Sequence, residues 1–138
     1  MENKTEIIKD KKKIGAGIII MSVLYLIGQT FTIIGCIINF FAKDLINELY
    51  RELGIVNEIT TVQILITLVI SLIITIAVIL ILFKKSIGAF LFIGIEVLSF
   101  IYNIIVSGIG LGVIVLLIFP FIMIFFIYNK KDIYFRKV

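Results

Sequence analysis

The sequence predicts an all-α integral membrane protein, a single membrane domain (residues 1–138) in which four transmembrane helices form an antiparallel bundle. Hydrophobic residues make up 62% of the chain and charged residues 16%, and the mean hydropathy is +1.25. These values lie far from those of soluble domains. Four continuous apolar runs cover most of the chain, each close to or above the roughly 20 residues that a helix needs to cross a bilayer. Barrel strands would alternate apolar and polar residues instead, so the runs indicate helices.

The runs and the polar residues between them define the order of segments along the chain. We predict a cytoplasmic basic N-terminus (1–13), span one (14–42), an external amphipathic segment (43–61), span two (62–83), a cytoplasmic turn (84–86), span three (87–106), an external turn (107–110), span four (111–128) and a cytoplasmic basic tail (129–138). The first run is too long for a cleaved signal peptide and is interpreted as a retained span.

Basic residues are concentrated on one side of the predicted membrane. That side carries Lys4, Lys9, Lys11, Lys12, Lys13, Lys84, Lys85, Lys130, Lys131, Arg136 and Lys137. Only Lys43 and Arg51 fall on the other side, among four acidic residues. Because cytoplasmic loops are enriched in Lys and Arg, we predict a multi-pass protein of the cell membrane with both termini cytoplasmic. The basic balance then reflects topology, and no nucleic-acid partner is expected.

The external segment between spans one and two has the pattern of a short amphipathic helix. Because no Gly or Pro lies between Cys36 and Gly54, span one could run on into this helix and bend only at the interface. Its apolar residues recur at helical spacing and are Leu45, Leu49, Leu53 and Val56. Gly54 provides a helix stop, and Thr60 with Gln63 fits a capping box that opens span two. The leucines are expected to rest on the membrane interface or to cover the outer end of the bundle. Docking of a protein partner is the alternative.

Two stretches that enter the membrane from the inside resemble each other. Residues 11–16 read KKKIGA and residues 84–89 read KKSIGA, so they match at five of six positions. One interpretation is a parallel repeat of two helical hairpins. The other is that every inward-entering span needs lysines followed by small and apolar residues. Both remain open at this point.

Polar residues inside the spans lie at helical spacing, which places them on single helix faces. Span one carries Ser22, Tyr25, Gln29, Thr32, Cys36 and Asn39; span two carries Gln63, Thr67, Ser71 and Thr75; span three carries Glu96, Ser99 and Asn103. We expect these three polar faces to meet inside the bundle. Hydrogen bonds that hold helices together would explain the hydroxyls and amides by themselves.

Glu96 is the only acidic or basic residue within the four apolar runs. An ionisable group near the bilayer centre costs at least a few kcal/mol, so such residues normally face a bundle interior or a wet cavity and mark functional sites. No Lys or Arg lies at the same depth. We therefore expect a neutral carboxyl unless water or a cation enters. Gln29 or Tyr25 in span one and Ser71 in span two are predicted at its level.

Pro120 lies at the same depth in span four and is predicted to kink that helix. Proline has no N–H and clashes with the carbonyl four residues earlier, so the carbonyl of Leu116 should lack its helical donor. A protonated Glu96 would be able to donate to this carbonyl, or a cation would bridge the two. A kink that only shapes packing is the simpler alternative.

Enzymatic chemistry has no support in the sequence. The chain has no histidine, one cysteine and one intramembrane acid. It therefore lacks a catalytic triad, a paired-carboxylate site and a zinc site, and no catalytic residue, metal or cofactor is predicted. Cys36 is interpreted as a small apolar residue.

Two classes of function follow. The first is a transport or permeation component in which a proton or small cation binds at a site formed by Glu96, Gln29, Tyr25, Ser71, Ser99 and Asn103. The second is a non-catalytic accessory, regulatory or immunity-type membrane protein that acts through helix–helix or protein–protein contacts. A bundle of four helices has little room for a solute pathway, so beside the lipid bilayer we expect a homo-oligomer or a larger membrane complex.

Overall fold

The computed structural model describes residues 13–135, and within this range it is helical without strands. The helices are α1 (Ala16–Glu52), α2 (Thr61–Leu82), α3 (Ser86–Ser107), α4 (Leu111–Asn129) and the short α5 (Lys131–Tyr134). Helices α1 to α4 are each long and apolar enough to cross a membrane. The prediction of an all-helical protein with four spans is thus confirmed, and the chain is a small polytopic membrane protein. The antiparallel order, the inside orientation and the hairpin repeat stay predictions.

Residues 1–12 and 136–138 lie outside the described residues. Most of the predicted basic N-terminus and the end of the basic tail, with Arg136 and Lys137, fall there. The structure therefore describes only the inner part of the two cytoplasmic segments that the charge pattern predicts.

The helices begin and end where local hydrogen bonding dictates. The Thr60 side chain accepts from the Gln63 N–H, and the Gln63 side chain accepts from the Thr60 N–H, which confirms the predicted capping box. At the end of α1 the Ile55 N–H donates to the Tyr50 carbonyl across Gly54, whose φ is +71°. This is a Schellman turn, in which glycine avoids the strain of a left-handed backbone.

Helix α1 includes most of the segment predicted to be external. It continues without a break to Glu52, so residues 43–52 are its last turns and not a separate helix. At 37 residues it is about 55 Å long, well beyond the ~30 Å of a bilayer core. Leu45 is 70% exposed and Leu49 53%, so within the described residues they do not cover the outer end of the bundle. Contact of these leucines with the membrane interface stays a prediction.

The connection from α1 to α2 is fixed against α1 by side chains. Asn47 makes two hydrogen bonds with the backbone of Ile59, from Nδ2 to the carbonyl at 3.0 Å and from the N–H to Oδ1 at 2.8 Å. One turn further, the guanidinium of Arg51 pairs with the carboxylate of Glu58 at 2.6 Å. These contacts hold the connection close to the helix that it leaves.

The core lies at one end of the bundle, which we call the packed end. It is formed by the first turns of α1 and α3, the last turns of α2 and α4, and α5. Its buried residues are Ile18, Met21, Ile74, Ala77, Val78, Ile81, Ala89, Phe92, Ile95, Met123, Ile127 and Tyr134. Tyr134 is 1% exposed, and its hydroxyl donates to the Ile81 carbonyl at 2.8 Å. Helix α5 thereby closes the packed end.

Glycines allow the helices of the packed end to approach closely. A Cβ on Gly88 would lie 2.7 Å from the backbone nitrogen of Ile81 and 2.9 Å from the carbonyl oxygen of Ala77. A Cβ on Gly17 would meet the ring of Phe126 at 2.6 Å. Small residues at such crossings are the usual means of tight packing between membrane helices.

Helix α4 is the least integrated of the four spans. Helices α1 and α3 both pack extensively along α2, whereas α4 contacts α1 and α3 over a smaller surface. Its last half joins the core through Met123 and Ile127. Its first half carries exposed side chains, among them Leu111, Val115 and Leu116. The bundle is therefore tight at the packed end and looser along the first half of α4.

Candidate functional site

A cleft of about 560 Å³ lies between α1, α3 and the first half of α4. It begins where the core ends, with Ile74 of α2 in its wall, and extends to Asn103 and Val113 near the turn between α3 and α4. The position follows from the packing, because α4 contacts its neighbours tightly only at the packed end.

Most of the residues that the sequence predicted as a site line this cleft. The lining includes Tyr25, Gln29, Glu96, Ser99 and Asn103, and Pro120 on the opposite wall. Ser71 does not line the cleft, but its hydroxyl donates to Gln29 Oε1 and so reaches the site through that side chain. The structure brings the predicted residues together; whether they bind a ligand stays a prediction.

Glu96 and Tyr25 face each other across the interface between α3 and α1. The Tyr25 hydroxyl is the neighbour of the Glu96 carboxyl. The same hydroxyl is buried and has no hydrogen-bond partner of ordinary geometry among residues 13–135. The Tyr25 ring packs edge-on against Phe92 of the core, with centroids 5.1 Å apart and planes at 81°. The core thus fixes the ring and with it the position of the hydroxyl next to the Glu96 carboxyl.

Other polar side chains of the cleft form hydrogen bonds mainly within their own helices. Thr32 donates to the Gly28 carbonyl at 3.0 Å, and Asn103 donates to the Ser99 carbonyl at 2.8 Å. These are bonds between residues four apart, which the helix itself provides. The bond between Ser71 and Gln29 is different because it joins α1 to α2. The polar faces therefore line the cleft more than they join the helices around it.

The charge of the cleft depends on a single group. Glu96 is the one acidic side chain in its described lining, and no lysine or arginine occurs there. The described residues also contain no group of three or more His, Cys, Asp or Glu side chains that would hold a metal ion. An ionised Glu96 would therefore give the cleft a negative charge that no neighbouring side chain neutralises.

Pro120 lies inside α4 and lines the cleft together with Leu116. Since proline has no N–H, the helix cannot supply the usual donor to the Leu116 carbonyl. The predicted meeting of Glu96 and Pro120 at one site is consistent with this lining. A hydrogen bond from Glu96 to the Leu116 carbonyl stays a prediction.

The cleft also contains residues that the sequence did not single out. Thr32 belongs to the polar face of span one but was not among the predicted site residues. Phe100, Phe119 and Phe121 add aromatic side chains to the lining. Phe119 and Phe121 gave no signal in the sequence because α4 is apolar all round, and periodicity then cannot separate a cleft-facing side from a lipid-facing one.

Ser22 is a residue of a predicted polar face that does not line the cleft. It belongs to the polar face of span one, yet it lies fully buried in the bundle and outside the cleft. Its hydroxyl has no hydrogen-bond partner among the described residues. A polar face on a membrane helix therefore predicts the direction of the bundle interior but not the extent of the site.

No protein-family model matches the sequence, and no match was found among curated proteins or solved structures.

Proposed function

We propose that the protein is a transport or permeation component that binds a proton or small cation at Glu96. The observation that carries the proposal is the cleft, in which a carboxyl without a basic neighbour shares about 560 Å³ with Tyr25, Gln29, Ser99 and Asn103. Intramembrane acids that face a cavity typically belong to ion or proton pathways.

The hydrogen bonding favours this proposal over one in which the polar residues only hold the helices together. If the polar residues only held the helices together, their hydroxyls and amides would form hydrogen bonds between helices. Thr32 and Asn103 instead bond within their own helices. A purely structural role also leaves no reason for a carboxyl at this position, where a glutamine would form hydrogen bonds without the cost of a charge.

The shape of the cleft favours a carrier over a permanently open pore. The cleft ends at the core of the packed end, where Phe92 is fully buried. A proton and a cation would compete for the same carboxyl, and the Tyr25 hydroxyl would donate to its ionised form. Release on the other side would require rearrangement at the packed end.

We further propose a homo-oligomer or larger membrane complex, in which exposed lining residues such as Leu116 and Phe121 contact a neighbouring chain.

The test is flux in liposomes that contain the purified protein. Wild-type protein should carry protons or monovalent cations down a gradient, measured with a pH-sensitive dye or an ion-selective dye inside the vesicles. Glu96→Gln should lose at least about nine-tenths of this flux, because it keeps the size of the side chain and removes its titration. Glu48→Gln is the matched control, since Glu48 is an exposed acid of α1 outside the cleft. Equal flux in the wild type and the Glu96→Gln variant would refute the proposal.

A second candidate function is that of an accessory or regulatory membrane protein, and one observation favours it. The exposed face of α1 continues as an apolar stripe beyond the predicted span one, with Leu45 70% and Leu49 53% exposed. Under this alternative, Leu45→Glu together with Leu49→Glu should abolish association with the partner and leave flux unchanged. Chemical cross-linking in native membranes, followed by sizing of the complex, distinguishes the two candidates.

Orientation, location and the lack of catalysis are part of the same proposal. We propose a cell-membrane protein with both termini cytoplasmic, on the charge pattern described above. We also propose that it has no enzymatic activity, because the sequence lacks the residue types of a catalytic site. Reporter fusions at residues 13 and 135 should be active only with reporters that work in the cytoplasm, and a reporter inserted after Gly54 only with one that works outside.

A further inference from the structure

We propose that the ligand of the cleft is an organic cation with an aromatic or other bulky apolar body. This inference rests on the proposed function and deepens it, because it names the class of cation that competes with a proton for the Glu96 carboxyl. Three properties of the cleft carry it: its volume, its set of ligand atoms and its lining.

The volume is that of a site for a small molecule. Pockets that bind organic ligands measure about 300–1,000 Å³, and the cleft measures about 560 Å³. A bare monovalent ion or a proton would leave most of this space unused. An apolar body of one or two rings would instead fill this space and contact the walls of the cleft.

The described lining does not offer the oxygen ligands that a divalent metal ion requires. Calcium and magnesium require about six oxygen ligands. The described lining offers one carboxylate, at Glu96. The oxygen of the Gln29 amide already accepts the Ser71 hydroxyl, and the Ser99 carbonyl already accepts from Asn103. A diffuse organic cation needs no such coordination shell and can be neutralised by one carboxylate.

The rest of the lining suits an apolar body with a positive charge. Tyr25, Phe100, Phe119 and Phe121 contribute aromatic rings, and Leu24, Val97 and Leu117 contribute aliphatic surface. Aromatic faces attract cations and bury apolar surface at the same time. With no lysine or arginine in the described lining, an anion would meet only the repulsion of Glu96. A neutral molecule would gain the apolar contacts and leave the carboxylate unpaired.

The experiment separates charge from shape with a matched pair of ligands. Benzyltrimethylammonium and neopentylbenzene have the same shape and differ only in a quaternary nitrogen or carbon. Binding is measured by titration calorimetry on the protein in lipid nanodiscs, with empty nanodiscs subtracted. Wild-type protein should bind the cation at least about tenfold more tightly than the neutral isostere, a difference of ~1.4 kcal/mol. Tetramethylammonium and sodium ions, which lack the apolar body, should also bind at least about tenfold more weakly.

Variants then assign the charge and the apolar contribution to residues. Glu96→Gln should reduce binding of benzyltrimethylammonium to the level of the neutral isostere, and Glu96→Asp should retain part of the preference. Phe119→Ala should weaken binding of benzyltrimethylammonium but not of tetramethylammonium. Glu48→Gln should change none of these values. Circular dichroism and the thermal midpoint of each variant show whether it is folded, and the Asp variant tests the charge even if the Gln variant is unstable.

Three results would overturn the inference: equal affinity for the cation and its isostere, unchanged cation binding by a folded Glu96→Gln variant, or equal affinity for sodium and benzyltrimethylammonium. If the liposomes show Glu96-dependent proton or sodium flux while benzyltrimethylammonium fails to bind, only this inference fails. If Glu96-dependent binding is found without any flux, the cleft is a binding site and the transport proposal fails instead.

Discussion

The two halves of the bundle are built differently. At the packed end, Ala77, Ala89 and Phe92 are fully buried, and helices touch at Gly17 and Gly88. In the half that contains the cleft, a Cβ added to Gly28 or Gly112 would have no atom within 4 Å, and most side chains in the first half of α4 are exposed. Small residues make close contacts only at the packed end, although both halves contain them.

This difference separates the part of the bundle that stabilises the fold from the part that contains the candidate site. Lipid supplies no hydrophobic drive for helix association, so stability depends on close contacts and hydrogen bonds. The packed end concentrates those contacts. The cleft can therefore hold a carboxyl and loosely arranged polar side chains without loss of the fold, as is common at functional sites.

The largest expected loss of stability is at the close contact between α2 and α3 in the packed end. Gly88→Ala places a methyl group against the backbone of Ile81 and Ala77, so the α2–α3 hairpin must open. We expect a loss of about 2–3 kcal/mol in the free energy of unfolding, measured by detergent denaturation and circular dichroism. Gly94→Ala in the same helix meets no atom and should be neutral or slightly stabilising. Similar losses for both variants would show that the close contact at Gly88 does not determine the stability of the packed end.

The next largest loss of stability is expected at the connection between α1 and α2. Asn47→Ala removes two hydrogen bonds to the backbone of Ile59. The expected cost is about 1–2 kcal/mol, because the freed backbone groups are partly buried. Glu48→Ala, at the neighbouring exposed position, should change stability by less than about 0.5 kcal/mol. Flux and ligand binding should survive in Asn47→Ala; their loss would mean that the outer connection also shapes the cleft.

A smaller loss of stability is expected where α5 closes the packed end. Tyr134→Phe removes the bond to Ile81, whose carbonyl still accepts from the Lys84 N–H. We expect a loss of about 1 kcal/mol in the same denaturation assay. Tyr128→Phe is the control, because this ring is 62% exposed. Equal stability of Tyr134→Phe and the wild type would mean that the hydroxyl adds nothing to closure.

The same tyrosine predicts a dependence of stability on pH. Burial raises the pKa of Tyr134 to about 12, above its ordinary value of 10.0. In the unfolded chain the hydroxyl loses its proton first, so its contribution is complete below about pH 10 and is lost as pH rises through about 12. Wild-type protein should therefore lose more stability than Tyr134→Phe between about pH 10 and 12. Parallel stability curves for the two proteins would contradict the assignment.

The smallest effect on folding is expected at the cleft itself. Glu96→Gln should change the free energy of unfolding by no more than about 0.5 kcal/mol, because Glu96 is not part of the core. Ile95→Val, one position earlier and within the core, should cost about 1 kcal/mol. A loss for Glu96→Gln larger than that for Ile95→Val would make Glu96 a structural residue and weaken the contrast between the two halves.

The sequence predicted the helices well because the signals for them are local. Four apolar runs, the capping box at Thr60 and Gln63, and the stop at Gly54 each depend on neighbouring residues. The meeting of Glu96, Gln29 and Pro120 was also predictable, since counting from the middle of each span gives their depth. Local pattern and depth together were sufficient to predict that most of the site residues lie close together.

The division into a packed end and a cleft could not be predicted in this way. It depends on where α4 leaves its neighbours, and α4 is apolar on every side, so its sequence does not distinguish core from cleft. Tyr134 was missed because a single tyrosine in a basic tail resembles a residue at the membrane interface. Its bond to Ile81 spans 53 residues, beyond the reach of any local pattern.

The bond from Tyr134 to Ile81 also sets the order of events during biosynthesis. The Ile81 carbonyl, in the last turn of α2, is synthesised 53 residues before the Tyr134 hydroxyl that donates to it. At a synthesis rate of about 5–20 residues per second, the interval is about 3–10 s. During the second half of that time α2 and α3 are already made, while the helix that closes over them is not. The insertion machinery or the surrounding lipid must cover the exposed end of the hairpin until Tyr134 arrives.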